Sequence, residues 1–264
     1  MAKVEAVKGM VLVVLGPGLP ALLTFAIYLN GQRLTGRVVN WDAFFQTSGL
    51  LLNAMLAPAL FALLAGYVLV REYQEHTISA LLTYPRPRWK FYLGKWLILV
   101  PFAFLVFALG YLYTVGAGFA LRHEPLVAKT LWVYAQAFGI MAVCNVALIP
   151  LALVAALIGK SLIPAVALGI GAVVVSVQIL NSDFLTFFPW TAGTALVIAF
   201  VDPESVSFSA FHAAATLFLS FVVPSSWGSI FSIKWTSWRL LTEFVSFLVE
   251  RPAFPAAGHG VEWT

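Results

Sequence analysis

The chain has 264 residues, of which 61% are hydrophobic and only 10% charged, and it carries a formal net charge of +4. A water-soluble domain of this length exposes more surface than so few charges can cover, and a mean hydropathy of +0.94 points instead to a polytopic membrane protein. The positive balance does not read as nucleic-acid binding, because the basic residues gather in particular connecting segments, as topology signals do, rather than on one face of a soluble fold.

The apolar runs are continuous and do not alternate, which selects helices over barrel strands. At about 20 residues per crossing the chain has room for roughly six. Lys3 and Lys8 precede the first run, as in a signal peptide, but no small-residue cleavage site closes it. The expectation is a retained first helix, Met10 to Leu29, kinked or locally unwound at Gly16–Pro20, where two prolines remove backbone donors. Asn30 to Phe45, with Arg33, Arg37 and Asp42, reads as a polar loop, with Trp41 at headgroup level. A second helix follows from Thr47 to Val70. Within it Asn53 is expected to hydrogen-bond to a neighbouring helix.

Val70 to Lys95 is a charge-dense island between two long apolar runs. Glu72 to Tyr84 can form an amphipathic helix, with Ile78, Leu81 and Leu82 on one face and Glu72, Glu75 and His76 towards its N-terminal end, where acids suit the helix dipole. Pro85 and Pro87 stop it, because the residue before each proline is biased away from helical geometry. Arg86, Trp89 and Lys90 then belong to an extended basic elbow.

The third helix is expected over Phe91 to Ala120, the fourth over Thr130 to Ile158 and the fifth over Leu162 to Leu180. Gly169 and Gly171 are expected to give the fifth a small-residue face. Asn181 to Ser207 differs from all of these. Its acids bracket an apolar centre, Thr191 to Val201, too short to span. A re-entrant or interfacial hairpin anchored by Phe187, Phe188 and Trp190 is the expectation. The sixth helix runs from Phe208 to Ile230. Trp235, Trp238, Leu241, Val245 and Leu248 then recur at helical spacing, as on an interfacial helix, and residues 252–264 read as a disordered tail. The chain thus divides into a six-helix transmembrane domain, 1–230, and an amphipathic C-terminal segment, 231–264.

With six spans, eleven of the fifteen basic residues share one side: Lys3, Lys8, Arg71, Arg86, Arg88, Lys90, Lys95, Lys160, Lys234, Arg239 and Arg251. The positive-inside rule places that side, and both termini, in the cytoplasm of a multi-pass cell-membrane protein.

No catalytic constellation emerges. Glu75–His76 lacks the spacing of a zinc helix, and Gly159–Lys160–Ser161 ends like a nucleotide-binding loop but lacks its upstream glycine. His123, His212 and His259 are scattered. Cys144 is the only cysteine and reads as a packing residue. The spans hold almost no ionisable residues, which disfavours ion-coupled transport and favours energy supplied from outside.

The island carries a resemblance. Glu72, Thr77, Leu81–Leu82, Pro85, Arg88 and Gly94–Lys95 stand in a pattern that resembles type-2 ABC exporter permeases, most nearly the branch of bacitracin-resistance and lantibiotic-immunity permeases. Phe188–Pro189–Trp190 is similar to that branch as well. The resemblance implies two permease copies, a homodimer here, working with a separate ABC ATPase that holds ATP and Mg, while this chain binds no cofactor or metal and is not an enzyme. It also implies that Glu72, Glu75, His76, Thr77, Leu81, Leu82, Pro85 and Arg88 form the contact with the ATPase, and that Phe188, Pro189 and Trp190 belong to an outer gate. The substrate expected is amphipathic or hydrophobic, a peptide antibiotic being one such. An ATP-independent channel or secondary transporter, or a membrane assembly subunit, are the alternatives. The segment after residue 230 departs from that pattern, since such permeases often end soon after the sixth span.

Overall fold

The computed structural model describes residues 13–36, 38–74, 89–159, 161–180, 182–205 and 209–227. Its helices are α1 Gly18–Thr35, α2 Trp41–Leu50, α3 Ala57–Gln74, α4 Trp89–Phe119, α5 Ala128–Gly159, α6 Leu162–Ile179, α7 Pro189–Val201 and α8 Ala210–Trp227. Leu51–Leu56 is a π-helical turn that joins α2 to α3. Among the described residues, extended pairing is confined to a single bridge between Val39 and His123.

Among the described residues six helical stretches are long and apolar enough to cross a membrane: Val13–Thr35, Trp41–Val70, Tyr92–Phe119, Ala128–Gly159, Leu162–Ile179 and Ala210–Trp227. They are not equivalent. The apolar window is 67% buried in the second and 56% in the fourth, but only 17% in the last. The α2–α3 and α5 spans therefore form the centre, and the others wrap it. Leu22, Leu112, Ile163, Phe211 and Phe218 on the wrapping helices are exposed, as lipid-facing residues are. At the centre the Phe45 ring stacks on Tyr134 (centroids 4.8 Å apart) and on Tyr111 (5.7 Å).

Near the N-terminus Val13–Leu15 is helical, Gly16–Pro17 form a turn, and the helix resumes at Gly18, as the two prolines require. Backbone groups freed in a membrane helix must find partners elsewhere. Here Leu19 N–H donates to Gly16 O at 3.0 Å, and the Tyr113 hydroxyl of α4 donates to Val14 O at 3.1 Å.

The loop expected over Asn30 to Phe45 is much shorter. α1 continues to Thr35 and ends at Gly36, whose φ of 66° is the left-handed cap that glycine adopts without strain. α2 already begins at Trp41, because Asn40 Oδ1 accepts from Asp42 N–H (2.9 Å) and Ala43 N–H (3.2 Å), an N-cap. Polarity marked this segment as a loop, yet its polar residues are cap and helix-end groups. Trp41, at the first residue of its span, is buried within the protein. Only 4% exposed, it donates from Nε1 to Glu124 O at 2.8 Å. A Cβ on Gly118 would lie 2.3 Å from its ring, so glycine makes room for the indole.

The α5–α6 connection is tight: a Cβ on Gly159 would meet Pro164 Cγ at 2.1 Å. α6 then packs along α3. A Cβ on Gly169 would lie 2.6 Å from Ala62 Cβ and 2.9 Å from Pro58 O, whereas one on Gly171 would meet nothing within 4 Å. The expected small-residue face thus reduces to Gly169, because Gly171, two residues on, points to another side of the helix. Gly169→Leu is expected to lower the stability of the purified protein by about 1–3 kcal/mol through overpacking, seen as a fall in unfolding temperature in detergent. Gly171→Leu should leave that temperature unchanged.

Candidate functional site

The C-terminal end of α3 and the N-terminal end of α4 flank the polar island. Of the predicted coupling residues, Glu72 falls in the last turn of α3, and Glu75, His76, Thr77, Leu81, Leu82, Pro85 and Arg88 lie outside the described residues. The two flanks are fastened together. Lys95, near the start of α4, is only 6% exposed, and its Nζ donates to Val68 O on α3 at 2.6 Å. A buried ammonium is costly unless its protons find acceptors. This one is spent joining the helices that enter and leave the island.

The same end of α4 repairs a break in α5. Pro150 has no N–H, so the carbonyl four residues back, Val146 O, loses its helical donor. The Trp96 indole supplies a donor to that carbonyl at 3.1 Å. One helical turn earlier, the Tyr92 hydroxyl donates to Pro150 O at 3.2 Å. Lys95, Trp96 and Tyr92 thus tie α4 to both central spans within four residues. Trp96 also meets Phe221 of α8, with centroids 5.5 Å apart.

A polar seam crosses the middle of the bundle. Asn145 Nδ2 on α5 donates to Asn53 Oδ1 at 2.7 Å and to Met141 O at 2.9 Å. Asn53 Nδ2 donates on to Thr194 Oγ1 of α7 at 2.8 Å. All three side chains are buried. Asn53 lies inside the π-turn, in which Ala57 N–H bonds to Leu52 O, five residues back, so the turn holds one residue more than α-helical spacing. Such insertions re-aim side chains and recur at functional sites. The neighbourly hydrogen bond expected of Asn53 is present, with two partners.

α7 reaches this seam by a close approach. A Cβ on Gly193 would lie 3.0 Å from Cys144 Cβ, so the missing side chain lets α7 lie against α5. Cys144 is buried and unpaired by any disulfide, a packing residue as expected. With 13 residues α7 is about 20 Å long, short of the roughly 30 Å hydrocarbon core. Phe188 caps its start, Pro189 is its first residue, and Trp190 borders a small gap beside Pro58, Asn145, Leu148 and Leu168. Thr191 Oγ1 donates to Leu185 O at 2.7 Å, tying the helix to the 3₁₀ turn before it. Thr216 Oγ1 of α8 donates to Thr186 O in that turn at 2.9 Å. Phe187, predicted as part of the aromatic anchor, is exposed and stacks on His212, with centroids 5.8 Å apart.

At the opposite end from the island, the segments 38–40 and 120–127 meet. Val39 N–H donates to Arg122 O at 2.9 Å, and Glu124 N–H to Val39 O at 3.1 Å. Gln32 Nε2 also donates to Arg122 O.

Sequence reasoning singled out neither the Lys95 clamp, nor the Trp96 repair, nor Thr194 as the third member of the seam. A lysine inside the first turns of a span, and asparagines in two separate apolar runs, were the available signals. Thr194 offered none, since a threonine in a membrane helix is commonplace.

A model of the ABC-2 family of transporter proteins matches residues 1–178, which include the island and both helices that flank it. The chain is also 22% identical over 166 residues, 63% of its length and 80% of the relative's, to the bacitracin transport permease protein BCRB of Bacillus licheniformis. No solved structure matches it. Six membrane-length helices among the described residues and a family match over residues 1–178 agree: the chain belongs to the ABC-2 family of transporter proteins.

Proposed function

We propose that this chain is the membrane permease of an ATP-driven exporter, working as a homodimer with a separate ABC ATPase that binds ATP and Mg. The observation that carries the reading is that the ABC-2 match runs through the island, whose two flanking helices are joined by the Lys95–Val68 bond. Glu72, Glu75, His76, Thr77, Leu81, Leu82, Pro85 and Arg88 form the ATPase contact, on the cytoplasmic side with both termini. A push on the island reaches α3 and α4 as one unit, and through Trp96 and Tyr92 it reaches α5.

From α5 the path continues through Asn145 and Asn53 to α7. In this reading α7 and the turn before it, with Phe188, Pro189 and Trp190, form a re-entrant outer gate. The substrate is amphipathic or hydrophobic. The relative named for bacitracin transport supports a peptide antibiotic as that substrate. Among the described residues the buried polar side chains include no carboxylate, which supports external energy over ion coupling.

The test is a gentle detergent pull-down of the tagged protein from its source cells, assayed for ATP hydrolysis. The expected result is a co-purifying ATPase that is lost when residues 72–77 are scrambled in a still-inserted chain. A wild-type chain that brings down no ATPase, or a scrambled one that keeps it, would sink the coupling assignment.

A further inference from the structure

A cavity of about 280 Å³ lies among α2, α5 and α7. Its lining is mostly apolar, with Phe45 and Leu50 from α2, Ala137, Phe138 and Met141 from α5, and Val197 from α7. All of these but Leu50 are buried. The polar side chains of the lining are tied into hydrogen bonds of the protein's own. Thr47 Oγ1 donates to Ala43 O at 2.8 Å, and Gln46 Nε2 to the Tyr134 hydroxyl at 3.3 Å. That hydroxyl donates to Asp42 O at 3.2 Å, and Thr194 Oγ1 accepts from Asn53 at 2.8 Å. Asp202, the one charged residue of the lining, likewise has a partner within the protein. Protein interiors hold few voids larger than a water molecule, and an empty one forfeits the contacts its walls would make. With these polar groups already engaged, water gains little here, and what the walls still offer is apolar contact.

We propose that this cavity binds one neutral apolar group of the exported substrate, an alkyl chain or aromatic ring system of about ten carbons. A cavity of roughly 150 Å³ suffices for benzene, and ligand pockets for drug-sized molecules run to roughly 300–1,000 Å³. The space here lies between, so it takes one such group and not a whole peptide. The group gains its affinity from close contact with the rings of Phe45 and Phe138 and the Met141 thioether, a soft sulfur that suits aromatic neighbours. A charged group would leave its hydration behind and meet no free partner among these walls. The occupant touches α2 and α5 of the central spans, and α7, which the Asn53–Thr194 bond joins to them. The proposal rests on the exporter reading for naming the occupant as substrate, while the binding itself needs no ATPase.

The experiment uses the full chain in phosphatidylcholine nanodiscs, without ATPase. The probe is a ten-carbon alcohol carrying a diazirine near its far end, and adducts are mapped by mass spectrometry. The expected result is saturable labelling concentrated in residues 45–50, 134–141 and 194–201, displaced by unlabelled decanol and not by tetraethylene glycol of similar length. Ala137→Trp should abolish that labelling by filling the cavity, and Val197→Trp serves the same end should Ala137→Trp fail to fold. A folded filling variant that labels like the wild type would overturn the site, as would labelling that never saturates and spreads over α6 and α8. Displacement by tetraethylene glycol would overturn the apolar selection. A phosphatidylcholine with the diazirine on its acyl chain should leave these three windows unlabelled. Adducts from it there would assign the cavity to bilayer lipid and overturn the substrate assignment. Each of these failures would leave the exporter reading intact, since that stands on co-purification with an ATPase.

Discussion

Asn53→Leu is expected to destabilise the protein by roughly 1–3 kcal/mol, two interhelical hydrogen bonds at the scale seen within membranes, and to free α7 from the bundle. Asn53 is the middle member of the seam. Its carbonyl accepts from Asn145 and its amide donates to Thr194, so one substitution removes both links. The damage is unequal. Asn145 keeps its bond to Met141 O, and the Thr194 hydroxyl can turn back to a carbonyl of its own helix. α7 keeps its apolar contact with α5 but loses the polar one that sets its height. Hydrogen exchange should therefore rise in α7 while α4 is little changed. A double-mutant cycle with Thr194→Val isolates the pair, and the expected interaction is more than about 0.5 kcal/mol. Strict additivity would show that the Asn53–Thr194 bond contributes no coupling energy.

Lys95→Met is expected to leave stability almost unchanged and to cut ATP-driven transport by about tenfold or more, as loss of a charged hydrogen bond of roughly 1.5–3 kcal/mol from the working path allows. Methionine keeps the length and apolar stem of the side chain. It removes the bond to Val68 O together with the burden of burying an ammonium, and for buried ions these two effects nearly cancel. What cannot cancel is the mechanical link. In the proposed coupling path its loss loosens the joint between the helices entering and leaving the island, although Phe61 of α3 still packs on Phe107 of α4, and part of an ATPase-driven movement would be absorbed there. The checks are unfolding temperature and substrate efflux on the same preparation. A methionine variant that transports at the wild-type rate would show that Lys95 is only a satisfied structural cation.

Much of the architecture was legible because membrane insertion writes itself into composition. Continuous apolar runs bounded by charges located the third, fourth and fifth spans to within two residues at most ends. The island stands out in sequence by its charge and its two proline stops, and most of it, residues 75–88, lies outside the described residues. The boundary of α2 was not, because Asn30 to Phe45 is polar for two reasons that look alike in sequence. Some of its residues end helices, as Gly36 and Asn40 do, and others, such as Gln32, reach across to a second segment. The burial of Trp41 was not legible either: an indole near a span end gives no sign of its neighbours, and only the bare backbone of Gly118 shows that a buried place was kept for it.

By itself the sequence determined that the chain lives in a bilayer, that it crosses about six times, and that one basic segment stands apart. All three follow from local apolarity and charge, which act wherever a segment sits in the fold. Only the tertiary structure decided which helices are central, and which polar residues meet. Asn53 and Thr194 are 141 positions apart, and Asn53 and Asn145 are 92 apart. No window of sequence contains such a pair. Their meeting depends on a π-turn that re-aims Asn53 and on Gly193, whose missing side chain lets α7 approach Cys144. In hydrocarbon the alternative to a partner is an unsatisfied amide, so the fold that brings these groups together is also what makes them tolerable where they stand.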